Sequence, residues 1–139
     1  MLLSKQNRIL KNVLVVSIAF LLEFTAYGGI ANLQSTLNSG GDLGAIGTNS
    51  SAIIYAALVF SSLFLSNYIL ELLGLKKALM LSLCGYVLYS VANFYVSEWT
   101  LYPAAVILGL CGAPLWAAKA SYITTSAQKY VQLSDDPNF

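Results

Sequence analysis

The sequence predicts an all-α membrane protein with four transmembrane helices, and three observations carry that prediction. Hydrophobic residues make up 58% of the 139 residues and charged residues only 9%, whereas a soluble domain carries about 25% charged residues. The apolar residues are gathered into four blocks, each near the roughly 20 residues that a helix needs to cross a bilayer. The basic residues cluster at alternate ends of those blocks, as the positive-inside bias of membrane proteins requires.

Residues 1–12 form a short N-terminal segment carrying Lys5, Arg8 and Lys11. The first span follows at Val13–Leu33. A basic segment before an apolar run also has the form of a signal peptide, but Glu23 and the apolar run continuing to Ile30 favour a retained helix. Gln34–Ser51 is polar and Gly-rich and is expected to be a loop. It contains Asn49-Ser50-Ser51, an N-glycosylation sequon. Ala52–Leu73 is the second span, Gly74–Lys77 a tight basic turn, Ala78–Val96 the third span and Ser97–Thr100 a second short turn. Leu101–Ile123 is the fourth span. The transmembrane region is expected to close at residue 125, leaving residues 126–139 as a polar tail.

Sidedness follows from the charges. Lys5, Arg8, Lys11, Lys76, Lys77, Lys119 and Lys129 all fall on one side of this arrangement, while the opposite loops carry Asp42 and Glu98. Both termini are therefore expected in the cytoplasm. Tyr95, Trp99 and Tyr102 gather at the outer turn, as an interfacial aromatic belt would.

Composition also excludes function classes. A net charge of +1 offers no basic surface for nucleic acid. Cys84 and Cys111 lie inside apolar segments, so reduced thiols are expected rather than a disulfide. With no histidine and no cysteine cluster, no metal site and no cofactor are expected. The chain holds no phosphate loop, zinc-protease motif or nucleophile elbow, so no catalytic residue is assigned and an enzyme is not expected.

The residues that could carry chemistry are polar groups within the spans. Glu23 lies about 15 Å of helix rise from the basic end. A charge at that depth marks a functional site by default, because it is costly and usually faces a bundle interior or pathway. The competing reading is a carboxylate held neutral or hydrogen-bonded for packing. Lys119 is the partner by sign. It snorkels to the interface if the fourth helix ends near Ala118, and approaches Glu23 if the helix runs on through Tyr122 and Ile123.

Gly28–Gly29, near Tyr27, Asn32 and Gln34, marks either a loosened outer half of the first helix or a close helix crossing. Ala105, Gly109, Ala113, Ala117 and Ser121 form a small-residue ridge on which another helix can pack closely. Pro114 lacks an N–H and frees the carbonyl of Leu110, so a bend is expected there.

Three blocks, LKNVLVVS (Leu10–Ser17), FTAYGGIANLQSTLN (Phe24–Asn38) and GAPLWAAKASYIT (Gly112–Thr124), resemble the amino-terminal part of the Unc-ninety-three ("uncoordinated") family, nearest its homologue A branch. The resemblance runs from about Leu10 to Tyr130. It implies a major facilitator superfamily fold, in which inverted three-helix repeats surround a central cavity. The first and fourth helices of a half line that cavity, which would put Glu23 and Lys119 on its wall.

The superfamily's cytoplasmic signature survives only in degenerate form, as Glu71, Gly74, Lys76 and Lys77, with Leu72 where the pattern has arginine. Four spans make only the first part of such a bundle, so the chain is expected to be a truncated member. The resemblance implies a regulator of a potassium channel, with channel subunits or a full-length relative as partners beside membrane lipids, and a plasma-membrane location. The alternatives are a transporter of a solute or cation, proton-coupled through Glu23, and a truncated isoform without function.

Overall fold

The computed structural model describes residues 2–37 and 42–134. Within them the chain is helical: α1 (Leu2–Leu37), α2 (Asp42–Phe60), a π-helical segment (Ser61–Leu65), α3 (Ser66–Ala92) and α4 (Glu98–Ser134). By length and composition, three stretches are long and apolar enough to cross a membrane: Lys5–Gln34, Ala45–Ala92 and Glu98–Ser134.

The helices outrun the apolar blocks that mark them in sequence. α1 holds 36 residues and is about 54 Å long at roughly 1.5 Å per residue, well beyond a hydrocarbon core of about 30 Å. Hydropathy marks where a helix meets lipid, whereas its hydrogen bonding carries on into the polar flank. The same distinction accounts for residues 34–51, expected as a loop. Gln34 to Leu37 complete α1 and Asp42 opens α2, while Asn38–Gly41 lie outside the described residues. Three polar side chains in α2 have partners. Ser51 Oγ donates back to the Gly47 carbonyl at 3.1 Å, and Asn49 and Ser50 bond across to other helices. α4 likewise carries Ser126–Ser134, expected as tail, in helical form.

The stretch Ala45–Ala92 is not one straight rod. Ser50 Oγ and Tyr89 Oη lie 3.3 Å apart, although 39 residues of straight helix would separate them by about 58 Å. The chain doubles back at Gly74, whose φ of 75° and ψ of 162° fall in a region essentially reserved for glycine. α3 is thus two arms, 66–73 and 75–92, joined by a sharp reversal.

Cross-helix contacts give the direction of each element. Asn49 meets Tyr102, and the backbone of Ile54 and Leu58 runs against Gly109, so α2 and α4 are parallel. Phe20 meets Lys119 and Phe24 meets Trp116, so α1 is antiparallel to α4. Phe24 meets Tyr86, Tyr27 meets Tyr89, and Gln34 bonds Asn93, so α1 runs parallel to the second arm of α3. This is an up-down-up-down bundle. Lys5, Arg8, Lys76, Lys77 and Lys129 converge at one of its ends, where they line adjoining clefts.

α4 is the centre of the packing. Leu101, Ala104, Ala105, Leu108, Leu115 and Ala118 are all buried, at spacings of three and four that make one helical face. Half of its apolar window is buried, against 6% of that in α1. The predicted small-residue ridge is used at Ala105 and Gly109, then passes to Gly112 and Ala118, because a straight helix drifts off a strict four-residue repeat. A Cβ at Gly109 would stand 2.5 Å from Ala57 Cβ and from the Ile54 carbonyl oxygen. Glycine there is a requirement of the α2–α4 approach.

Candidate functional site: an aromatic groove beside the first helix

On α1, Phe20, Phe24 and Tyr27 recur at spacings of four and three and so share one helix face. On the facing elements, Tyr86 and Tyr89 share a face of α3, and Trp116 and Lys119 lie one turn apart on α4. The bundle brings these faces together. Phe24 lies 5.4 Å from the Tyr86 ring and 5.4 Å from the Trp116 ring, and Tyr27 lies 5.5 Å from Tyr86 and 6.2 Å from Tyr89. Such separations fall within the range of favourable aromatic pairing.

The cluster ends in a cation. Lys119 Nζ stands 4.6 Å from the Trp116 ring centre and 5.0 Å from that of Phe20. Since α4 continues to Ser134, Lys119 is inside the helix and about 15 Å of rise from Lys129. Its amine rests on ring faces, where the negative π cloud offsets part of the cost of leaving water.

Glu23 is on the same helix, one residue before Phe24. Its Oε1 is buried and has no hydrogen-bond partner among the described residues. The sequence pairs Glu23 with Lys119 by sign, but in the structure the lysine's neighbours are rings.

Toward the opposite end the groove turns polar. Tyr89 Oη donates to Gln34 Oε1 at 3.3 Å and meets Ser50 Oγ at 3.3 Å. Gln34 Nε2 donates to Asn93 Oδ1, and Asn93 Nδ2 donates to the Tyr89 carbonyl at 2.7 Å. This chain ties α1, α2 and α3 together around a cavity of about 350 Å³, lined by Tyr27, Gln34, Thr48, Ser51, Ile54 and Tyr89 among others. The arrangement can hold a small polar molecule by hydrogen bonds and a cationic one by ring faces.

Other residues singled out from sequence fall elsewhere. Asn32 is exposed on α1, and the hydrogen-bonded chain just described runs through Gln34. Asn49 is exposed in α2, with its amide donating to Tyr102 Oη at 3.4 Å. Glu71, Gly74, Lys76 and Lys77 surround the reversal in α3 at the basic end. α1 passes through Gly28 and Gly29 as unbroken helix, and among the described residues an added Cβ would meet nothing within 4 Å at either. Cys84 is exposed and Cys111 half-buried, both as free thiols. Tyr86, Tyr89 and Asn93 were not singled out, although their spacing of three and four along one apolar block was the available signal.

Comparison with known proteins places the chain. Residues 44–132 match the family described as "Ion channel regulatory protein UNC-93". The chain belongs to the UNC-93 family. Protein unc-93 homolog A of Xenopus laevis is 48% identical over 123 residues, covering 88% of this chain and 26% of that protein. The human homolog A is 45% identical over 126 residues, covering 91% of this chain and 27% of that protein. A Caenorhabditis elegans relative, unc-93, named a candidate potassium channel regulatory protein, is 33% identical over 129 residues, 93% of this chain and 18% of its own length. The chain thus spans about a quarter of the length of the homolog A proteins it matches. UNC-93 membership accords with the resemblance seen in the three sequence blocks, and the family's description is that of ion channel regulatory proteins.

Proposed function

We propose that this UNC-93 chain crosses the bilayer four times, with both termini in the cytoplasm, and serves as part of a plasma-membrane protein that regulates a potassium channel. The observation that carries the functional reading is the family match over residues 44–132. The potassium reading is supported by the name of the Caenorhabditis elegans relative. The four crossings are supported by the reversal at Gly74, which divides Ala45–Ala92 into two antiparallel segments. The orientation is supported by the gathering of Lys5, Arg8, Lys76, Lys77 and Lys129 at one end, since Lys and Arg are retained on the cytoplasmic side. Asn49 then falls on the far side of the membrane, where a glycan acceptor must be. The helices make the first part of a major-facilitator-type bundle, and the open face of α1 is where further helices of that bundle would pack.

Co-expression with two-pore-domain potassium channels tests this reading. Current or surface abundance of the channel is expected to change. A well-expressed chain that alters neither, across the channels tried, overturns it.

Transport is the second reading, and Glu23 favours it. A buried carboxylate oxygen without a hydrogen-bond partner among the described residues is what a proton- or cation-coupling group in a membrane looks like. Glu23→Gln would then abolish a proton- or cation-dependent flux while leaving the fold intact. Unchanged uptake in that variant removes the reading.

A further inference from the structure

The bases at one end of the bundle do more than mark a side of the membrane. Lys76 and Lys77 from α3 and Lys129 from α4 line a cleft of about 460 Å³, together with Asn12, Tyr122 and Ser126. A second cleft of about 440 Å³ shares Ile9, Asn12 and Lys129 with it and adds Lys5 and Arg8. Five cationic residues from three helices thus line two adjoining clefts, and no carboxylate lines either among the described residues. Setting topology requires only that bases lie near the helix ends. Lys11 meets that requirement without lining either cleft among the described residues.

A third hollow gives the occupant its shape. A groove of about 350 Å³ shares Asn12, Lys76 and Tyr122 with the basic cleft and continues from it between α1 and the second arm of α3. Its walls are apolar, formed by Val15, Val16, Leu79 and Met80, and it opens outward, with Val15 56% and Met80 67% exposed. A lysine-lined cleft with hydroxyl and amide donors thus adjoins an apolar groove that opens outward. Free phosphate would use only the first of these, and a fatty tail only the second.

We propose that this end of the bundle binds an anionic phospholipid carrying more than one negative charge, with its phosphate-bearing headgroup in the basic cleft and an acyl chain in the groove between α1 and the second arm of α3. The lysines supply charge, Asn12, Tyr122 and Ser126 supply hydrogen bonds to phosphate oxygens, and the apolar walls hold the tail.

The test uses the full 139-residue chain in detergent micelles and three fluorescent or competing probes: a short-chain phosphatidylinositol bisphosphate, a phosphatidylcholine of the same chain length, and soluble inositol trisphosphate. The bisphosphate lipid is expected to bind at least tenfold more tightly than either of the others. Lys76→Gln, Lys77→Gln and Lys129→Gln together should weaken it on the order of a hundredfold, given the attraction that each base near an anionic surface supplies. The matching triple arginine variant should stay within a few-fold. Met80→Trp, which fills the groove, should weaken the lipid and leave inositol trisphosphate unchanged. Equal binding of phosphatidylcholine overturns the proposal, and so does inositol trisphosphate binding as tightly as the lipid, which would make this a soluble-phosphate site. If the glutamine variant fails to fold, Met80→Trp and added salt decide the matter: lipid binding insensitive to both overturns the proposal.

Discussion

Ser61 Oγ donates a 2.7 Å hydrogen bond to the backbone carbonyl of Leu110. Pro114, four residues on, has no N–H to give that carbonyl, so in an uninterrupted helix it would be left without its usual partner. The donor comes from the π-helical segment Ser61–Leu65, whose wider turn shifts the angular position of the residues around it. Two local irregularities on neighbouring helices therefore complete each other across the α2–α4 contact. Within a bilayer this matters more than in water, because no solvent can take over the acceptor.

Ser61→Ala should accordingly destabilise the bundle by about 1 kcal/mol. Pro114→Ala restores an N–H to the helix, so the cost of Ser61→Ala should shrink in that background. Reversible unfolding in bicelles, run as a double-mutant cycle, measures the difference. Equal costs with and without Pro114 would show that the carbonyl does not depend on Ser61.

The glycines should separate into those that packing requires and those it does not. Gly109→Ala puts a methyl group 2.5 Å from Ala57 Cβ and the Ile54 carbonyl oxygen, both fixed by helix backbone. The two helices must part, at about 1–3 kcal/mol. Gly28→Ala meets nothing within 4 Å and gains helix propensity, so it should be neutral or stabilising by up to about 1 kcal/mol. Melting temperatures of the two variants in one detergent check the contrast. A Gly28 variant as damaged as the Gly109 variant would contradict the open space beside α1.

Gly74 is a different case, set by backbone conformation rather than space. Nothing lies within 4 Å of a Cβ there, yet φ is +75° with ψ at 162°. Gly74→Ala should cost about 1–3 kcal/mol through strain alone. Circular dichroism should show helix content held while the melting temperature falls. A variant as stable as the parent would mean that the reversal tolerates an ordinary residue.

How far the sequence could be read ahead of the structure depended on the kind of signal. The apolar blocks, the turn at Gly74–Lys77 and the gathering of Lys5, Arg8, Lys76, Lys77 and Lys129 at one end were legible because each is local: a run length, a glycine before two lysines, a charge count. The helical state of Asp42–Ser51 was not, since Asn49 and Ser50 read as loop residues until their partners on other helices are known, and Ser51 until its bond back to Gly47 is. Gly109 could be picked out by spacing, whereas Gly28 and Gly29 carried the same residue type without the neighbour. At the candidate site, Glu23 and Lys119 stood out as charges in an apolar run. The tyrosines around them did not, because Tyr86 and Tyr89 look like ordinary membrane residues until Phe24 and Gln34 of α1 are laid beside them. Sign alone paired the lysine with the glutamate, and only tertiary geometry shows ring faces in that place.

The placement of Lys119 leads to the most discriminating measurement on the groove. Its amine sits within about 6 Å of two ring centres, the distance over which a cation feels the ring quadrupole, and the indole of Trp116 is the nearer at 4.6 Å. If this contact stabilises the cation, Trp116→Leu should cost about 0.5–2 kcal/mol while Lys119 is present. Lys119→Leu alone should be near neutral or slightly stabilising, since it removes a charge from apolar surroundings together with its compensation. In the Lys119→Leu background, the cost of Trp116→Leu should drop to what its packing against Phe24 contributes. Unfolding free energies of the four combinations give the coupling directly. A coupling near zero would place the amine away from the rings and return Glu23 to consideration as its partner. A coupling of about 1 kcal/mol would establish that the cation in this groove is held by aromatic faces and that Glu23 is left for another ligand.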